Sequence, residues 1–215
     1  MPPALYARSI SAVCLAELGE FERAVQFASE AAEFARLHDL PFGLVLARVA
    51  GGYVAIVRGA LDEAASGLDE AIALIRERDV PAFLPWAAAA RGYVAALAGD
   101  ATTGMATLEA ALERAIALPF LYGHSQWLAW LAHARLVAGR TDDALAPATE
   151  ALRLSRERGE RGYEAWALWI LAEVHSRRAP DAAVTAASEA LTLALELGMR
   201  PLVAKVHETL AGRDR

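Results

Sequence analysis

Gly52-Tyr-Val-Ala-Ile-Val-Arg-Gly59-Ala-Leu-Asp-Glu-Ala64-Ala-Ser-Gly-Leu68-Asp-Glu-Ala71 decides the fold of this 215-residue chain. After Gly59, apolar residues recur at Leu61, Ala64, Ala65, Leu68, Ala71, Ile72 and Ile75, while Asp62, Glu63, Asp69, Glu70 and Arg76 fall on the other side. That is the three-and-four spacing of an amphipathic helix. Gly59 itself belongs to an evenly spaced ladder of Gly19, Gly59, Gly99 and Gly139, and the next step lands on Ala179-Pro180. A fixed period of this length, about 40 residues, signals a stacked repeat array.

Other columns are phased to the ladder. Ala12, Gly52, Gly92, Ala132 and Ala172 lie before the turn; Ala24, Ala64, Gly104, Ala144 and Val184 follow it. Ala31, Ala71, Ala111 and Ala151 come two helical turns later, with Ala190 closing the column after a one-residue deletion. Small side chains at helical spacing let two backbones approach, so each column predicts a helix–helix contact. A glycine ending the first helix of each pair suits a left-handed C-terminal residue. Asp62 and Glu63, like Asp142 and Asp143, sit where carboxylates favour the start of the next helix.

The pattern predicts an all-α, right-handed solenoid of about five helical hairpins plus a C-terminal cap helix, forming a single domain. The units run over 1–39, 40–79, 80–119, 120–159 and 160–198, with the cap in 199–215. First (A) helices are expected over 3–18, 41–58, 81–98, 120–138 and 161–178; second (B) helices over 20–38, 61–78, 101–117, 141–158 and 181–197; the cap helix over 201–212. Asp39-Leu40-Pro41 and Asp79-Val80-Pro81 divide units, with proline in the first turn of the helix that follows. No strict alternation and no Asn-Gly or Asp-Gly turn favours strands. The unit without a ladder glycine is expected to be the most irregular.

At these residues the chain resembles the tetratricopeptide repeat (TPR) family. Gly52, Gly59, Ala64, Leu68 and Ala71 match that family's small and bulky positions, and Gly92, Gly99, Gly104, Leu108 and Ala111 repeat the match, as do Ala132, Gly139, Ala144 and Ala151. The period departs from the family's usual length of about 34 residues. Long-period arrays of this kind resemble the C-terminal parts of bacterial STAND-type ATPases, nucleotide cyclases and LuxR-type activators, whose catalytic and DNA-binding motifs this sequence lacks.

Composition narrows the function. Net charge is −6 with both signs interspersed, unlike the clustered basic footprint of a nucleic-acid binder. Cys14 is the only cysteine, so an internal disulfide is excluded, and its apolar surroundings suggest a small core residue. No basic leader opens the chain. Arg48, Arg58, Arg91 and Arg135 interrupt the apolar runs that approach the length of a membrane span, so a cytoplasmic protein is expected. No phosphate-binding glycine loop, zinc-protease motif or nucleophile elbow is present. His38, His124, His133, His175 and His207 form no metal-ligand spacing, and the carboxylates read as solvated helix faces. We therefore expect no catalysis, metal or cofactor.

The TPR resemblance implies that the A helices line a concave groove. It places there Tyr6, Leu46, Trp86, Gln126 and Trp166 in one column; Ser9, Val49, Ala89, Ala129 and Trp169 in a second; and Val13, Tyr53, Tyr93, His133 and Glu173 in a third, followed by Ser176 and Arg177. Tyr6, Tyr53, Trp86, Tyr93, Gln126, His133, Trp166, Trp169, Glu173 and Arg177 are the candidate binding residues. Stacked aromatics with few charges suit an extended peptide or an amphipathic helix. A one-residue shift in register would turn half of them inward, and Trp127 and Trp130 equally suit gaps between helices. The expected function is a protein–protein interaction scaffold in bacterial signalling or transcriptional regulation. The alternatives are a small-molecule sensor and a homodimer formed through exposed solenoid ends.

Overall fold

The computed structural model describes residues 2–117, 123–176 and 178–211. Its helices are α1 (Pro3–Glu17), α2 (Phe21–Leu37), α3 (Pro41–Arg58), α4 (Leu61–Glu77), α5 (Leu84–Leu97), α6 (Ala101–Ala117), α7 (His124–Val137), α8 (Thr141–Arg158), α9 (Arg161–His175), α10 (Pro180–Leu197) and α11 (Arg200–Ala211). Among the described residues there is no strand. Pro81–Phe83 form a short 3-10 turn ahead of α5, where a continuous helix was expected from residue 81. Expected helical residues 120–122 lie outside the described residues.

The glycine ladder marks the A-to-B turns. Gly19, Gly59, Gly99 and Gly139 all have positive φ, between 73° and 104°. Each turn closes with the same bond, from the residue after the glycine to a carbonyl five residues back: Glu20 to Leu15, Ala60 to Ala55, Asp100 to Ala95 and Arg140 to Arg135, at 2.8–2.9 Å. This Schellman pattern satisfies carbonyls that the helix end leaves free. The fifth turn is built differently. Ala179 is extended (φ −145°), its N–H meets the His175 carbonyl, and Pro180 opens α10.

Small-residue columns form the seams between paired helices, with one correction: Val184 is exposed, and its neighbour Ala183 takes the buried place in the fifth unit. In unit three the backbones themselves touch: a Cβ added at Gly104 would lie 2.6 Å from Ala96 N and from the Gly92 oxygen. In unit two the partner is a side chain, since a Cβ at Gly52 would strike Leu68 at 2.7 Å. Ala24, Ala64, Ala144, Ala151, Ala172 and Ala190 are wholly buried in the equivalent places. The fourth unit adds a proline inside α8. Pro147 has no N–H to give the Asp143 carbonyl. Arg135 of α7 supplies the missing donor, its Nη1 lying 2.8 Å from that oxygen while Nη2 holds Glu109.

Successive A helices α1, α3, α5, α7 and α9 pack side by side as the inner layer, each B helix outside them, and α11 completes the row against α9. The row winds until its ends meet. Arg200 Nε donates to the Leu18 carbonyl at 2.7 Å, and Gly19 leaves just enough room for Pro201. The expectation that both end helices are free is corrected accordingly: α1 and α11 touch each other. Cys14 is also corrected. It is exposed, because two residues past buried Ala12 lies on the opposite side of the helix. By length and composition alone, α3 could cross a bilayer, its mean hydropathy of 1.3 surviving the two arginines; in this fold it is a core helix, with 61% of its residues buried between neighbours.

Candidate functional site

The inner face of the turn holds a partly open cavity of about 370 Å³. Tyr53, Val57 and Arg58 of α3, Tyr93 and Leu97 of α5, Gln126, Trp130 and His133 of α7, Trp166 and Ile170 of α9, and Lys205 of α11 reach it. A depression of similar volume between α4 and α6 lies on the outer seam and has no aromatic lining. The inner cavity alone among these combines aromatic walls with converging polar groups, the usual signature of a binding site.

Its walls are tied together across units. Glu17, at the end of α1, accepts from Trp166 Nε1 at 2.9 Å and from the Tyr53 hydroxyl. Gln126 Nε2 donates to the same Tyr53 oxygen at 2.8 Å, so one chain of bonds joins the first, second, fourth and fifth units. Tyr93 Oη and His133 Nδ1 share a 2.7 Å bond. The rings themselves interlock: Tyr93 stacks on Trp130 with centroids 5.0 Å apart and planes 5° from parallel, and His133 meets the Trp169 edge at 5.0 Å. Trp166 stands 5.6 Å from Trp169, whose indole N–H reaches Thr209 of α11. Trp127, also read as a gap filler, is fully buried.

Burial sets the electrostatics. It pushes the Glu17 carboxyl upward, against the lowering effect of the Tyr53 and Trp166 bonds. It pushes the His133 imidazole down to about 4, helped by the nearby Lys205 charge, so the ring is neutral at pH 7. The Tyr53 and Tyr93 phenols are raised, in both cases chiefly by burial, and stay protonated. Arg58 is paired with Glu63. Lys205 makes no ion pair among the described residues; its Nζ lies 5.3 Å from the centre of the Trp169 ring. No cluster of metal-ligating side chains occurs among the described residues.

Of the sequence candidates, Tyr53, Tyr93, Gln126, His133 and Trp166 line this cavity, and Trp169 backs it. Tyr6 is half exposed away from it, Trp86 is buried in the packing of units two and three, and Glu173 is partly buried outside the lining. Arg177 lies outside the described residues. The misplaced residues follow a rule. The cavity crosses the helices diagonally, using the end of α3, the second half of α5 and the first two-thirds of α7 and α9. Tyr6 and Trp86 come too early in their helices and Glu173 too late, because stacked repeats rotate relative to one another. Glu17, Trp130 and Lys205 were missed. Trp130 was legible, one turn beyond Gln126 on the same face; Glu17 and Lys205 reach the site only because the array closes.

No protein-family profile matches the sequence, and comparison with curated proteins finds no match. Solved structures do. The Rap conjugation gene regulator of plasmid pLS20, solved in complex with the Phr* peptide, superposes with a TM-score of 0.74 at 12% identity, over 100% of this chain and 66% of that one. The apo form of RapI gives 0.65 at 10% identity, over 99% and 86%. The TPR-like repeats of a kinesin light chain protein from Podosopora anserina give 0.53 at 16% identity, over 95% and 97%. The chain thus has a TPR-like helical-repeat fold, and it spans just under two thirds of the pLS20 regulator.

Proposed function

We propose that this chain is a non-catalytic TPR-type interaction scaffold that holds a peptide or helix segment on its concave face, within a bacterial signalling or transcription-regulatory system. The observation that carries this reading is the aromatic cavity on the inner face, where Tyr53, Tyr93, Gln126, His133 and Trp166 converge from four units. The likeness to a Rap regulator bound to a peptide supports it at the level of fold. The cavity is near the small end of the range that ligand pockets span. It has room for anchor side chains; the rest of a segment would run along the inner face. We place the protein in the cytoplasm, and its partner is a peptide, with neither nucleic acid nor membrane required.

The small volume and aromatic lining favour a second reading, a regulatory array that senses a small molecule in the same space. Titration calorimetry with pooled short peptides and with pooled small metabolites separates the two. The peptide reading expects heat from the peptides, lost in Tyr93→Ala and Trp166→Ala and retained in Tyr6→Ala. Heat from metabolites alone would replace it with the sensor reading.

A further inference from the structure

The chain carries a single lysine, and it faces the cavity. Lys205 projects from the cap helix α11, partly buried, and forms no ion pair among the described residues. The other cation in the lining, Arg58, is occupied by Glu63. Arginines elsewhere are held in the same way, as in Arg8–Glu30, Arg91–Asp69 and Arg161–Glu196. A cation with no ion-pair partner at the wall of an apolar cavity can give an anionic ligand a charge-assisted bond.

The groups facing Lys205 leave that place open. His133 is neutral, and the Tyr53 and Tyr93 phenols keep their protons. Glu17 is the nearest acid in the network, but both its oxygens are engaged by Tyr53 and Trp166, and it stands behind these residues rather than in the lining. The remaining wall is aromatic and aliphatic. One free cation in such surroundings matches one negative charge on an apolar body. A phosphate would ask for more donors than the site offers, and a second carboxylate would find only the Arg58–Glu63 pair.

We propose that the cavity receives an apolar or aromatic monocarboxylate, with Lys205 binding the carboxylate and Tyr93, Trp130, His133 and Trp166 enclosing the body. This rests on the reading of the cavity as the ligand site. Two sources share the chemistry, the free C-terminus of a peptide and a small aromatic acid.

The test compares acids with their neutral amides. The probes are 3-phenylpropionate and 3-phenylpropionamide, and pooled tetrapeptides ending in Phe or Leu as free acid or as amide. Binding is followed by calorimetry and by the NMR signal of isotopically dimethylated Lys205, which the absence of other lysines makes easy to assign. Acids should bind about tenfold or more tightly than amides, as expected for a charge-assisted bond. Lys205→Met should erase that preference without weakening the amides, and Lys205→Arg should keep part of it; thermal melts confirm that both variants fold. Peptide acids and amides binding equally would overturn the carboxylate assignment and leave the peptide reading standing. Preference for phenylpropionate with no peptide bound would support the assignment and remove the peptide reading. Binding of neither class, or an acid preference that survives in Lys205→Met, overturns the proposal.

Discussion

Along the seam between α5 and α6, Gly92 and Gly104 bring two backbones into contact; across the same helix α5, Tyr93 faces inward onto Trp130 and His133. The two faces are written in different alphabets. The seam repeats from unit to unit as glycine or alanine, because close approach tolerates little else; the fifth unit keeps it only by shifting one residue, burying Ala183 while Val184 turns outward. The inner face does not repeat: the column Tyr53, Tyr93, His133, Glu173 changes at almost every step. Packing imposes sameness on a repeat, whereas closing the array and shaping a cavity require each unit to contribute something different.

The largest expected effect breaks the seam. At Gly104 a Cβ would already lie 2.6 Å from backbone atoms of α5. Gly104→Leu forces a whole side chain into that space and should cost about 3 kcal/mol or more in urea unfolding. An inner-face change such as Trp166→Phe keeps the ring packing and should cost less, while weakening ligand binding more.

The next effect tests the exception within the seam, the proline in α8. Arg135→Met leaves the Asp143 carbonyl without its side-chain donor. The unsatisfied carbonyl should cost about 1–3 kcal/mol. Pro147→Ala restores an N–H to that carbonyl, so the penalty should shrink in the double variant; a thermodynamic cycle measures the coupling.

A smaller effect belongs to the inner face. Glu17→Ala strands the Tyr53 hydroxyl and the Trp166 N–H, but it also removes a carboxyl that burial disfavours. The two partly offset, so the net loss of stability should be about 1 kcal/mol. Glu17→Gln can still accept from one of the stranded donors and should recover part of the loss in chemical denaturation.

The smallest is a pH effect. The His133 imidazole is pushed down to about 4, so the unfolded chain takes up this proton first as the solution is acidified. The stability it contributes is therefore complete above the ordinary histidine value of about 6.5 and is lost as pH falls from there toward 4. Glu17 acts in the opposite sense, its raised carboxyl favouring the fold at lower pH and losing that advantage as pH rises through its folded value. Comparing His133→Gln with its parent in a Glu17→Gln background isolates the histidine; a stability–pH profile unchanged between them would show that burial does not hold this ring neutral.

The same division explains what could be read from the sequence. Seams are local: Gly52 and Leu68, or Gly92 and Gly104, are close in the chain, and the ladder sets their phase. The hairpin map was therefore legible, and its departures fall at particular chemistry, as at Pro81–Phe83, where Pro81 and Pro85 give a 3-10 start. The cavity was half legible. Tyr53, Tyr93, Gln126, His133 and Trp166 came from carrying columns straight down the repeats, and Trp86 and Glu173 failed for the same reason, since the superhelix turns the columns away. Glu17 and Lys205 depend on how far the array winds, a sum of small rotations that no single unit encodes.

The contact between Arg200 and Leu18 gives the array a different thermodynamic character. In an open stack of repeats the terminal units fray independently, each having one neighbour. Here the first unit also borders the last, so opening either exposes the other. Amide exchange should then be slow and closely matched in α1 and α9, where an open solenoid would show protection rising toward its middle.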